Sequence, residues 1–329
     1  MSQRAHVTLV FGDGVHACAA AVNAVSLAHV DASADRVAVA TNISNATRAI
    51  LRHGWRIAES SAPAATRKPF EELAAVLQAP YERVAYWDAD HFVLPSAAAV
   101  INMQRLWSFQ PGKLLASAET YQATSWCFSS GLVVFRPSPA RYRAFLELSR
   151  NASTAGRKPH PRTPLGRCWD GGYQGLLNAL WPENDDKWLL NPRSSPWRLL
   201  TPENGVSMGC PTDGRLSDGD QGEGPGADSY HFFGRAAPWG TDCGGCALRG
   251  LVCNLAQIER RGRPWQHAVR CGYGAAQAAW YSAFLRLPAS IRAECFRRIA
   301  DPASIERAGF NKWATRGWSR GVGCSVSSR

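Results

Sequence analysis

Tyr86-Trp87-Asp88-Ala89-Asp90-His91-Phe92-Val93-Leu94 follows the apolar pair Val84-Ala85 and carries two carboxylates one residue apart. A strand sends alternate side chains to opposite faces, so Asp88 and Asp90 are expected to share one face at a strand end. Like charges placed there repel unless a cation or hydrogen-bond donors lie between them. Hard oxygen ligands of this kind suit Mg²⁺ or Mn²⁺, and such an ion can hold a diphosphate. The same pattern also arises in exposed turns, where both groups are simply solvated, so its weight comes from its surroundings.

Upstream, strands and helices alternate. Residues 7–11 read as a strand, Gly12-Asp13-Gly14 as a turn and 17–27 as an Ala-rich helix. A second strand follows at 36–40, then a helix at 46–53 that stops at Gly54, a third strand at 55–58 and a helix at 70–77. The strand 83–87 then ends at the carboxylates. This spacing predicts βαβ units and a mostly parallel sheet. In open α/β sheets ligands bind beyond the carboxyl ends of strands, where Asp88 and Asp90 fall. Downstream, 130–135 reads as a strand, 140–149 as a helix, 157–167 as a basic loop and 170–180 as a segment that becomes helical. Residues 213–228 are rich in Gly and Asp and read as a surface loop. Two further helices are expected at 275–287 and 289–299.

Composition agrees with a globular enzyme-sized chain. The 329 residues are 45% apolar and 19% charged, enough for one large α/β domain or two modest ones. A net charge of +11 favours anionic partners. The arginines are spread out, with short clusters such as Arg260-Arg261-Gly262-Arg263 and Arg297-Arg298, and no nucleic-acid-binding motif accompanies them. No apolar run is long enough for a transmembrane helix. Met1-Ser2-Gln3-Arg4 leads straight into the first strand without a signal-like apolar stretch, which points to the cytoplasm if Met1 is the true start. The ten cysteines, eight of them at or after Cys168, and the sequons at Asn42, Asn45 and Asn151 point instead to the Golgi or another secretory lumen if the N-terminus is truncated. Cys243-Gly244-Gly245-Cys246 has the spacing of half a zinc site, but Cys253 and Cys271 do not complete a second pair. Disulfides that pin the tail to the rest of the chain are the preferred expectation.

Four blocks in order carry a resemblance: residues 84–94; Phe128-Ser129-Ser130-Gly131-Leu132-Val133-Val134-Phe135-Arg136-Pro137-Ser138; Gly171-Gly172-Tyr173-Gln174-Gly175-Leu176-Leu177-Asn178; and His231-Phe232-Phe233-Gly234-Arg235-Ala236-Ala237-Pro238-Trp239. Together with Val7-Thr8-Leu9-Val10 they resemble the glycogenin-like branch of glycosyltransferase family 8. The resemblance implies an α/β fold of the GT-A type: a Rossmann-like nucleotide-diphospho-sugar transferase domain over residues 5–240. A Cys-rich helical extension over 241–329 would then pack on that domain. It implies Mn²⁺, with Mg²⁺ as the alternative, held by Asp88, Asp90 and His231. It also implies a UDP-sugar donor contacted by Leu9, Phe11, Asp88, Ala89, Ser129, Gly234 and Arg235. Asp170 and Gln174 are the candidates for contact with the reacting sugar.

The family retains anomeric configuration, and a phosphate oxygen of the leaving group is its usual base. This makes catalysis chiefly positioning and electrostatics. The sequence departs from the family at four places. Ser129 stands for an Asn, Tyr173 for an Asp beside the sugar, Ala237 for a diphosphate-binding Lys, and Val15 for a Tyr that packs on the base. Asp170, Arg235, and Phe11 or His16 are the nearby substitutes. The expectation is a metal-dependent retaining hexosyltransferase, with glucose the default sugar and a glycan or protein acceptor. The alternative is a degenerate member that binds a nucleotide sugar or glycan without transfer.

Overall fold

Every second residue of the first strand faces the same helical layer, and this alternation builds the molecule. The computed structural model describes residues 3–59, 76, 79–108, 114–118, 127–154, 168, 173–181, 187–190, 199–200, 228–231 and 274–300. Strands β1 (Arg4–Phe11), β2 (Asp35–Thr41), β3 (Arg56–Glu59), β4 (Arg83–Trp87), β6 (Leu114–Ala118), β7 (Phe128–Phe135) and β8 (Lys187–Leu190) form one seven-stranded sheet in the order β3-β2-β1-β4-β7-β6-β8. Within it only β7 runs against its neighbours, so the sheet is mostly parallel, as expected. A second, three-stranded sheet pairs β5 (His91–Val93) with β10 (Ser229–His231), and β10 with β9 (Leu199–Leu200).

Helices cover both faces. Ala5, Val7 and Leu9 of β1 join Val84 and Tyr86 of β4 in one core, shared with Phe145 of α4 (Pro139–Thr154) and Leu176, Leu177 and Leu180 of α5 (Tyr173–Leu180). Val10, Ala85 and Trp87 join the opposite core. That core holds α1 (His16–Val30), α2 (Asn45–Arg52), Met103 and Leu106 of α3 (Ala97–Trp107), Trp280 and Phe284 of α6 (Gly274–Leu285), and Cys295 of α7 (Ala289–Ala300). This is the α/β/α layering that a strand buried on both faces requires. Small residues on α1 let the chain approach closely: a side chain at Gly54, just after α2, would collide with the Ala24 methyl.

Among the described residues two disulfides tie the layers. Cys127, ahead of β7, bonds Cys168, and Cys18 of α1 bonds Cys295 of α7 across 277 positions of sequence. The second bridge fits the expectation of a tail pinned to the earlier chain. Cys243, Cys246, Cys253 and Cys271 lie outside the described residues, as does most of the expected helix 70–77. Among the described residues no helix is long and apolar enough to cross a membrane.

Candidate active site

The carboxyl ends of β1, β2 and β4 lie side by side, and each is followed by a turn. After β1, Gly12 adopts a left-handed φ of 60° and donates its N–H to Thr41 O at 3.0 Å. After β2, Asn42 takes a left-handed φ of 55°. The β1 turn is then locked to α2. Asp13 Oδ1 accepts from Ser44 N at 2.7 Å and from the Thr47 hydroxyl at 2.5 Å, while Ser44 caps α2 through Thr47 N at 3.2 Å. Burial opposes ionisation of Asp13, but the hydrogen bonds from Thr47 and Ser44 outweigh it and hold the carboxyl below its usual range. Arg298 of α7, only 4% exposed, reaches in from the other end of the chain. It donates to Thr47 Oγ1 at 2.7 Å and to the Asp13 carbonyl at 3.2 Å, and is braced by Glu294 at 2.8 Å. Phe11, 40% exposed at the end of β1, presents an aromatic face at this edge.

The Asp88–Asp90 segment differs from the simple strand picture. The strand ends at Trp87, and Asp88 to His91 form a turn closed by His91 N on Asp88 O at 2.9 Å. The turn, and not continued strand alternation, therefore places Asp90 relative to Asp88. Alternation does hold one step earlier. Tyr86 and Asp88 share a face, and the Tyr86 hydroxyl donates to Asp88 Oδ1 at 2.6 Å. The Tyr173 hydroxyl, from the first residue of α5, donates to the same oxygen. Burial, then the negative charge of Asp88, pushes both phenols well above their ordinary range, so both remain protonated donors. The two rings meet edge to face at 6.3 Å. Ala89 is buried in the core, as is Leu9, so any ligand contact by these two is limited to the main chain.

The three-stranded sheet brings the distant histidine to this turn. The backbone of His231 is paired with His91 across the antiparallel β5–β10 ladder. That ladder is anchored from two helices. Asn23 and Ser26 of α1 bond the backbone of Val93, and Asn102 of α3 donates to both oxygens of buried Asp228 at 3.0–3.1 Å. The His231 imidazole lies outside the described residues, as do Asp170, Gly234, Arg235 and Ala237. Among the described residues no three His, Cys, Asp or Glu side chains form a metal-sized cluster. The donor chemistry present nevertheless fits a hard divalent cation. Two carboxylates stand in a tight turn with one residue between them, one of them oriented by hydroxyls, and the backbone of His231 is registered opposite His91.

Gln174, expected at the reacting sugar, stands at the start of α5 beside β7. Its side-chain carbonyl accepts from Ser130 N at 3.0 Å and from the Ser130 hydroxyl at 3.3 Å, which ties α5 to β7. One turn later Asn178 bonds both the N–H and the C=O of Phe128, at 2.9 and 2.8 Å. Ser129, expected at the donor, receives the N–H of Gly131 at 3.3 Å. Tyr86 is the residue that sequence reasoning missed. Its signal was there, since it precedes Asp88 by two positions.

No protein-family model matches the chain, and no curated protein is significantly similar to it. Among solved structures, the apo-form glycosyltransferase GlyE of Streptococcus pneumoniae aligns with a TM-score of 0.50 at 12% identity, over 89% of this chain and 64% of that one. The chain has the fold of the GT-A glycosyltransferases. The galactosyltransferase LgtC, solved with donor and acceptor sugar analogues, aligns at 0.49 and 16% identity over 87% of this chain and 99% of its own. Mouse xyloside xylosyltransferase 1 aligns at 0.40 and 14% identity, over 69% of this chain and 97% of its own. At these identities the likeness concerns the fold, and the chemistry must be argued from the side chains.

Proposed function

We propose that this chain is a metal-dependent, retaining glycosyltransferase of the family 8, glycogenin-like kind. It would move a hexose, with glucose the default, from a UDP-sugar to a glycan or protein acceptor. The observation that carries the reading is the Asp88–Asp90 turn at the carboxyl end of β4, with the Asp88 carboxylate held by two phenols. Beside it, β10 brings His231 into register with His91. Mn²⁺, or Mg²⁺ in its place, held by Asp88, Asp90 and His231 would neutralise the donor diphosphate and act as a Lewis acid toward the departing nucleotide.

The chain's own residues supply the rest. Phe11 offers a stacking face to the base at the edge where Gly12 and Asp13 form the turn, and Arg298 and Thr47 fix that turn. The new bond joins the acceptor oxygen to the anomeric carbon, the bond to the diphosphate breaks, and the acceptor proton passes to a phosphate oxygen on the same face. Asp170 and Arg235 remain candidates for sugar and diphosphate contact. Gln174 would act at the sugar only from its amide end, because its carbonyl serves Ser130. The two disulfides support an oxidising compartment.

A second reading, a nucleotide-sugar-binding protein without transfer, draws on one observation. Tyr173, where an acidic residue would sit beside the sugar, is turned onto Asp88. UDP release with Mn²⁺ across a panel of UDP-sugars separates the two. Turnover with at least one donor, lost by at least 100-fold in Asp88→Asn and Asp90→Asn, is expected. Donor binding without release from any sugar would establish the second reading.

A further inference from the structure

Resting on the metal reading above, we propose that Tyr86 and Tyr173 are positioning residues that hold the Asp88 carboxylate in one orientation for the cation. A carboxylate oxygen has two lone pairs, and here two hydroxyl donors converge on Oδ1. Two donors on one oxygen fix both the position of that oxygen and the plane of the carboxylate. With one oxygen pinned from two directions, the carboxylate cannot rotate about its Cβ–Cγ bond without breaking both bonds. The ligand is therefore set before the ion arrives.

Four features make the pinning stiff. Tyr86 is 2% exposed and sits in the core of β4, so its ring has no alternative place. Tyr173 rides on α5, and α5 is fastened to β7 by Gln174 on Ser130 and by Asn178 on both polar groups of Phe128. The Cys127–Cys168 bridge fastens the approach to α5 to the residue before Phe128. Asp88 N in turn donates to Gly131 O at 3.0 Å, so β7 holds both the main chain of Asp88 and the helix that carries its tyrosine. Partners that orient a metal ligand commonly change metal affinity by about 10- to 100-fold when removed. Tyr173 thus works from the metal side of the site.

The test removes single oxygens. Mn²⁺ is titrated into the full chain with saturating UDP, and free Mn²⁺ is read by its electron paramagnetic resonance signal. Asp88→Asn is expected to abolish binding. Tyr173→Phe and Tyr86→Phe are each expected to weaken it by about tenfold, with unfolding midpoints close to the parent's. Binding by both Phe variants within twofold of the parent, while Asp88→Asn abolishes it, would overturn the positioning role and leave the metal site standing. Absence of Mn²⁺ binding by the parent would overturn the metal reading and this inference together. Where Tyr86→Phe melts early, Tyr173→Phe decides, because its ring lies at a helix start and only one hydroxyl is lost.

Discussion

Asp31 is a carboxylate taken almost wholly out of water, at 3% exposure, and it survives there because three donors meet it. Trp107 Nε1 donates to Oδ2 at 2.6 Å, His6 Nε2 stands 3.2 Å from the same oxygen, and the Ser33 hydroxyl donates to Oδ1 at 2.7 Å. His6 Nδ1 accepts from Trp87 Nε1 at 3.1 Å, which assigns the proton to Nε2 and keeps the ring neutral. Burial lowers the His6 pKa from 6.5 despite Asp31. For Asp31, burial is outweighed by the His6 and Ser33 hydrogen bonds, and the carboxyl falls far below its ordinary range. Both groups bind fewer protons folded than unfolded, so stability rises with pH. The His6 part is whole above about 6.5 and goes first as pH falls; the Asp31 part is lost later, below its unfolded value near 4. Thermal melts from pH 7.5 to 5 are expected to show a falling midpoint, and His6→Gln should flatten that fall. Asp31→Ala, which strands three donors, should cost about 3 kcal/mol in chemical denaturation at pH 7.

Among the elements, α5 repays the closest look, because its polar face holds a strand. Asn178 is 5% exposed and completes backbone groups at the start of β7. Asn178→Ala should therefore lower stability by about 2 kcal/mol, measured by calorimetry against the parent. Much of this layer could be read from the chain. β4 was legible to the residue because an apolar run ends sharply in charge; α1 was legible from its Ala-rich run and α2 from its stop at Gly54, and α5, α6 and α7 were expected close to where they lie. β5, β6 and α3 were not. β5 is three residues long, and β6 is Leu114-Leu115-Ala116-Ser117-Ala118, without alternation, so neither carries a period. α3 has a capping Ser96 bonded to Ala99 N at 3.0 Å, a local signal that went unread. The strand-face argument for Asp88 and Asp90 meets a turn, which a strand period does not describe: β4 ends at Trp87 and His91 N closes onto Asp88 O. The tie of Tyr173 to Asp88 was illegible, since it exists only once α5 packs beside β4.

For the molecule as a whole, the decisive feature is that its last described helices complete its first layer. Trp280, Phe284, Leu287 and Cys295 are buried in the same core as α1, and Arg298 braces the turn after β1. Residues 274–300 thus pack into the core that α1 builds. Replacing Cys18 and Cys295 together by Ala should lower stability by on the order of 4 kcal/mol, given the length of chain closed, and should weaken UDP binding as Arg298 loosens. Isothermal titration with UDP and a denaturant series would read the two effects; unchanged stability would show the bridge to be ornamental.

That bridge also governs how the chain must be made. Cys18 leaves the ribosome long before its partner Cys295, with seven other cysteines between them in sequence. Cys127 emerges after Cys18, yet its partner is Cys168, so the native pairs are nested and a bond from Cys18 to Cys127 is a wrong one. A chain oxidised in the order of its synthesis would be trapped. Correct pairing requires either that Cys18 be kept reduced until Cys295 has been made, or that a thiol–disulfide exchange catalyst undo the mistake.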